Sequence, residues 1–105
     1  MQENRRRRKD LFMRDKVRKH FYFSGRVQEV GFRYQAKYAA DELNLTGWVC
    51  NLYDGRVEME VQGNDSAIDR LLGRLYSAKW IRITDIEMKL LPVKPGEKGF
   101  RVRGY

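Results

Sequence analysis

The densest run of residues able to do chemistry is Ser24-Gly25-Arg26-Val27-Gln28-Glu29-Val30-Gly31-Phe32-Arg33. Phe32 opens an apolar pattern of helical spacing. Gln28, Glu29, Val30, Gly31, Phe32 and Arg33 therefore lie at or just before a helix N-terminus. Backbone amides there lack helical acceptors and carry partial positive charge, which suits an anion. Successive amides in such a turn can curl around a phosphate as a nest. Gly31 opens backbone conformations closed to other residues. Arg33 adds a planar fork of donors that matches phosphate oxygens. On the motif alone, the same residues also fit a plain strand-to-helix connection carrying a surface arginine.

Two other side chains carry reactive atoms. Cys50, the single cysteine, reads either as a redox-sensitive thiol or as a small strand side chain, and the second is the commoner fate. It excludes an internal disulfide and fits a reducing, cytoplasmic compartment. His20, the single histidine, falls on the strand face opposite Phe21 and Phe23, where a surface or packing role is the ordinary one. One cysteine and one histidine make no thiolate–imidazole cluster of the kind that holds a metal.

The elements that would position these residues follow from periodicity. Val17, Lys19, Phe21 and Phe23 alternate with Arg18, His20, Tyr22 and Ser24, the period of a strand. From Phe32 to Leu43, apolar residues at Phe32, Ala36, Ala39 or Ala40, and Leu43 have helical spacing, and Asn44 is a stop signal. A second strand is predicted over Thr46 to Asn51. Asp54-Gly55 marks a hairpin, because a tight reversal needs residues that tolerate positive φ. Val57, Met59 and Val61 set one face of a third strand, with Glu58, Glu60 and Gln62 on the other. Asn64 or Asp65 caps a second helix that buries Ile68, Leu71, Leu72 and Leu75. Gly73 within it costs up to about 1 kcal/mol against alanine without stopping it. A fourth strand is predicted from Trp80 to Leu91, with a phase change near Thr84 that signals a bulge. Phe100 to Arg103 makes a short last strand. The order is βαββαβ plus a terminal strand: an α+β, ferredoxin-like sandwich, with a mostly antiparallel sheet and both helices on one face.

Length and charge bound the rest. The chain has 105 residues, which suits one domain. Its hydrophobic content of 42% is enough for a packed core. No apolar run approaches the roughly 20 residues that span a bilayer, so no membrane partner is expected. The first residues are charged and lack an apolar segment, so no secretory signal is expected. Residues 1–20 hold nine Lys/Arg against three acids, a net of +6; the remaining thirteen Lys/Arg face eleven acids, a net of +2. The charge excess thus sits in a basic extension over residues 1–16, ahead of a balanced body over 17–105. Such a tail can bind nucleic acid or anionic membrane non-specifically, or simply remain solvated. Leu11, Phe12 and Met13 could touch the body.

Two stretches then look specific. Gly25-Arg26-Val27-Gln28-Glu29-Val30-Gly31-Phe32-Arg33 resembles the first signature of the acylphosphatase family. Gly47-Trp48-Val49-Cys50-Asn51-Leu52-Tyr53-Asp54-Gly55-Arg56-Val57-Glu58 resembles the second. Gly63 and the ending Gly99-Phe100-Arg101-Val102-Arg103-Gly104-Tyr105 are also similar, with one extra residue before the tyrosine. The resemblance spans roughly residues 17–105. It implies a monomer that hydrolyses small-molecule acyl phosphates to carboxylate and inorganic phosphate. It further implies that the turn from Gln28 to Arg33 binds the phosphate through backbone amides, that Arg33 adds its guanidinium, and that Asn51 orients the attacking water. No metal, cofactor or phospho-enzyme is implied. The family usually has glycine where this chain has Glu29. If φ is positive there, a side chain costs of order 1–2 kcal/mol, and the carboxylate repels an anionic substrate. The expectation is retained activity with weakened substrate binding.

Two rivals fit the same element order. RNA-recognition domains are also βαββαβ, but their aromatic signature belongs on the third strand, and here that strand offers Glu58, Glu60 and Gln62. No specific nucleic acid is expected. The other rival is an acylphosphatase-like anion-binding or interaction module disabled by Glu29.

Overall fold

The structure, a computed structural model, describes residues 16–104. Most of the basic extension expected over residues 1–16, with the contacts suggested for Leu11, Phe12 and Met13, lies outside those residues, as does Tyr105. The elements run β1 (Lys16–Arg26), α1 (Phe32–Glu42), β2 (Thr46–Asn51), β3 (Val57–Asn64), α2 (Asp65–Ser77), β4 (Arg82–Leu91) and β5 (Phe100–Val102). The sheet order is β4-β1-β3-β2-β5. Neighbours are antiparallel except β2 and β5, which pair in parallel. This is the predicted ferredoxin-like α+β order with its terminal strand.

One sheet face meets both helices. Phe21 and Phe23 of β1, Val49 of β2, and Val57, Met59 and Val61 of β3 bury against Phe32, Ala36, Ala39 and Ala40 of α1 and Ile68, Leu71 and Leu75 of α2. Each large side chain so buried contributes about 1.5–3 kcal/mol. Leu72, expected in the same core, is only partly buried and packs at its margin. Gly47 lets β2 close on β3: a Cβ there would run into the Glu60 carbonyl. Helix α1 stops at Leu43, and Asn44 turns left-handed at φ 56°. Helix α2 is capped by Asn64, whose side chain accepts from the Ser66 amide at 3.0 Å.

Strand β4 starts at Arg82 rather than at the predicted Trp80. The Ile81 amide turns back to the Ala78 carbonyl at 3.2 Å, which holds Trp80 in a loop. The predicted bulge is present. Ser24 pairs with Asp85 and Gly25 with Ile83, so Thr84 is left over.

The other sheet face carries the charged alternates, and one of them is unexpectedly deep. Arg18 is 1% exposed. It donates to Glu60 at 2.8 Å, to Gln62 at 3.3 Å and to Glu97 at 2.8 and 3.1 Å. Gln62 in turn exchanges hydrogen bonds with the Lys94 backbone at 2.7 and 2.9 Å. The 92–99 segment thereby straps across one end of this face. A buried charge needs such partners, since an uncompensated one is very costly. Next along, His20 pairs with Glu58 at 2.7 Å. Carboxylates and a strap occupy the surface that an RNA-recognition domain would leave open for bases. Among the described residues no helix is long and apolar enough to cross a membrane.

Candidate active site

Between β1 and α1 the chain makes a loop with alternating handedness. Positive φ occurs at Glu29 (62°) and Gly31 (80°), and not at Gln28, Val30 or Phe32. Alternation of this kind turns successive amides toward one side, the geometry of an anion nest. Among the described residues, the amides of Glu29, Val30 and Gly31 donate to no protein acceptor. Those of Phe32 and Arg33 open α1 and have no preceding turn to bond. The helix start is also bare: Gly31 offers no side-chain cap, and the first turn holds no acidic residue. Among the described residues its positive end therefore has no capping or acidic first-turn partner, which favours an anion there.

Arg33 follows on the first turn of α1. One nitrogen, Nη1, donates to the Arg103 carbonyl at 2.8 Å. The Arg103 amide bonds to the Val49 carbonyl at 2.8 Å. The chain just past β5 thus anchors one edge of the guanidinium and leaves other donors of the fork available. Arg33, Asn51, Glu29, Gly31 and Tyr34 line one cleft of about 140 Å³.

Asn51 ends β2 on the helix-side face and is 6% exposed. Its Oδ1 is buried and has no partner among the described residues. A buried acceptor left unpaired costs about 1–3 kcal/mol. Such an atom is explained when a ligand or water bonds it. The cleft it shares with Arg33 is where that bond would form. The hairpin behind Asn51 is fixed by the Leu52 amide to the Arg56 carbonyl at 2.8 Å. Asp54 braces the turn, accepting from the Arg56 amide at 3.1 Å and from its side chain at 2.8 Å. These bonds from Arg56 hold the Asp54 carboxyl below its ordinary range.

The sequence did not reveal what ties this hairpin to the loop. The Gln28 side chain donates through Nε2 to the Leu52 carbonyl at 2.6 Å and to the Arg56 carbonyl at 2.9 Å. It thereby fixes the distance between the amide nest and Asn51. A glutamine ahead of a helix carries no signal of this; only the approach of the two loops gives it partners.

Of the remaining sequence candidates, Cys50 and His20 separate from the site, whereas Glu29 lines the cleft itself. Glu29 lies on the rim with its side chain exposed. Cys50 adjoins Asn51 in sequence, but strand alternation sends it to the opposite sheet face. There its Sγ lies 3.7 Å from Glu58 Oε1. Burial first, and then Glu58, push its pKa up, so it stays a protonated thiol. His20 sits on that same far face. A larger concavity of about 520 Å³ also lies there, lined by His20, Tyr22, Glu60 and Lys89 among others. None of its lining residues has the positive φ that shapes the loop before α1. Among the described residues no group of three or more His, Cys, Asp or Glu could hold a metal ion.

Comparison with known proteins gives the family. The acylphosphatase family model matches residues 19–102. An acylphosphatase of Clostridium perfringens is 45% identical over 85 residues, covering 80% of this chain and 96% of that protein. The crystal structure of an acylphosphatase from Bacillus subtilis superposes with a TM-score of 0.76 at 32% identity, covering 83% of this chain and 98% of the other. An acylphosphatase structure from Coxiella burnetii gives 0.77 at 33% identity, covering 87% and 96%. Matched along nearly its whole described length in both sequence and fold, this chain belongs to the acylphosphatase family.

Proposed function

We propose that the chain hydrolyses the carboxyl–phosphate bond of acyl phosphates, with the nest amides and Arg33 holding the phosphate and Asn51 orienting the water. The observation that carries this reading is the buried, unpartnered Asn51 Oδ1 in one cleft with an uncapped helix start and an arginine. The water oxygen attacks phosphorus, and the bond from phosphorus to the acyl oxygen breaks. The carboxylate leaves with the electron pair, and the water's proton passes to a phosphate oxygen. A carboxylate is stable without a proton, so no general acid is needed. Phosphoryl transfer of this kind depends on positioning and charge stabilisation. Preorganised amides and one guanidinium supply both.

The same reading makes the substrate a small-molecule acyl phosphate and the protein a cytoplasmic monomer with no cofactor. It treats residues 1–16 as a basic extension to the catalytic body. The single, partly buried, protonated Cys50 fits a reducing compartment.

The test is hydrolysis of acetyl phosphate and benzoyl phosphate, with and without chelator, by the parent, Arg33→Ala and Asn51→Ala. The expected result is chelator-resistant turnover that falls about 100-fold or more in each variant, the size of losing a transition-state donor. A parent without turnover, or variants that keep parental rates, would overturn the reading. Phosphate binding without turnover would leave the chain an anion-binding module.

A further inference from the structure

The cleft that holds Arg33 and Asn51 measures about 140 Å³. A water takes about 30 Å³ of liquid, and the phosphoryl group fills much of what remains. Anything larger than a small acyl group must lie elsewhere. A second groove of about 490 Å³ runs along the same loop, lined by Arg26, Gln28, Glu29, Val30 and Trp80. The two cavities share Glu29, and Asn51 lines only the first. In-line displacement needs the leaving oxygen opposite the attacking water. An acyl group in the second groove leaves Asn51 and its water clear, because Asn51 does not line that groove.

The groove has chemistry of its own. Trp80 is 64% exposed, a large apolar face left to solvent beside a reactive loop. Its ring is held by Lys79, whose Nζ lies 5.1 Å from the centroid. Val30 adds an apolar contact, partly buried against the core. Arg26 forms no ion pair among the described residues, and its cross-strand neighbour is Arg82. Like charges opposite each other are unfavourable, so a π-face or an anion beside Arg26 relieves that pair.

We propose that the groove between Val30, Trp80 and Arg26 seats the acyl group and selects flat aromatic acyl phosphates over acetyl phosphate. The ring stacks on Trp80 by one face, with the Arg26 guanidinium against the other. This rests on the hydrolytic reading above, and binding measurements separate the two. Kinetics on benzoyl and acetyl phosphate are compared in the parent, Trp80→Ala and Trp80→Phe, each checked for parental folding by circular dichroism. Calorimetry with benzoylphosphonate and acetylphosphonate, which cannot be hydrolysed, runs alongside.

Trp80→Ala should raise KM and Kd for the benzoyl compounds about fivefold, the range of one aromatic contact. The acetyl values should stay within about twofold, since acetyl does not reach the ring. Trp80→Phe should keep the preference. Turnover of both substrates with a ratio unmoved by Trp80→Ala overturns the groove and leaves hydrolysis standing. Trp80-dependent benzoylphosphonate binding without turnover supports the groove and overturns hydrolysis. Absence of both binding and turnover overturns both.

Discussion

Glu29 holds a left-handed backbone conformation, φ 62°, on the rim of the phosphate nest. A non-glycine residue there costs about 1–2 kcal/mol. Its carboxylate also faces an incoming anion: at 6 Å and an effective dielectric near 20, a pair of unit charges interacts by about 3 kcal/mol. Solvation of the exposed side chain reduces that considerably. Glu29→Gly removes both terms; the first acts on folding stability and the second on binding, so KM for acetyl phosphate should fall about 3- to 10-fold, less at high salt. Steady-state kinetics at two ionic strengths check this; an unchanged or higher KM contradicts it. At this scale legibility was uneven. Arg33 and its loop stood out as an anion site from residue type and position. Asn51 did not, because an asparagine closing a predicted strand carries no mark of a site until resemblance assigns it. Its burial and its orphaned Oδ1 are properties of three dimensions.

The site joins two elements separated by the whole of α1, the loop before that helix and the end of β2. The Gln28 side chain bridges them at 2.6 and 2.9 Å. Gln28→Leu keeps the bulk and removes the donor. Two carbonyls are then less well satisfied, and the Asn51 hairpin is freer to drift from the nest. A misplacement of 1 Å can cost about 100-fold in rate. Gln28→Leu should therefore lower kcat about 10- to 100-fold while the Kd for inorganic phosphate moves less than about threefold. A fall in phosphate affinity matching the fall in kcat would show that Gln28 acts on binding instead. Alternation in β1 and β3, helical spacing in α1, the Asn64 cap and the Thr84 bulge were all legible, because each is a local pattern. The true start of β4 was not. Trp80 and Ile81 look strand-like in composition, and only the turn at Ala78 holds them out of the sheet.

Across the whole molecule, Arg18, Glu60, Gln62 and Glu97 lock the 92–99 strap onto the sheet. No sequence pattern announced this. Each residue reads alone as a surface polar group, and Arg18 and Glu97 are 79 positions apart. Burial by itself would push the Glu97 carboxyl up. The hydrogen bonds from Arg18 and Thr46 outweigh it and hold the carboxyl below its usual value of 4.5. A carboxyl depressed on folding stabilises the protein above its unfolded pKa, and that contribution is lost as pH falls through the folded value. Thermal or urea unfolding should accordingly show stability falling below pH 4.5. Glu97→Gln should lose about 1–3 kcal/mol at pH 7 and flatten that acid limb. Equal acid sensitivity in parent and variant would contradict the assignment.

The most direct test of the central claim is a titration of inorganic phosphate into 15N-labelled protein, followed by NMR. Saturable shifts should concentrate on the amides of Glu29, Val30, Gly31, Phe32 and Arg33 and on the Asn51 side chain, and should weaken in Arg33→Ala. Silence at those amides, or shifts gathered instead around His20 and Lys89 on the far sheet face, would contradict the account.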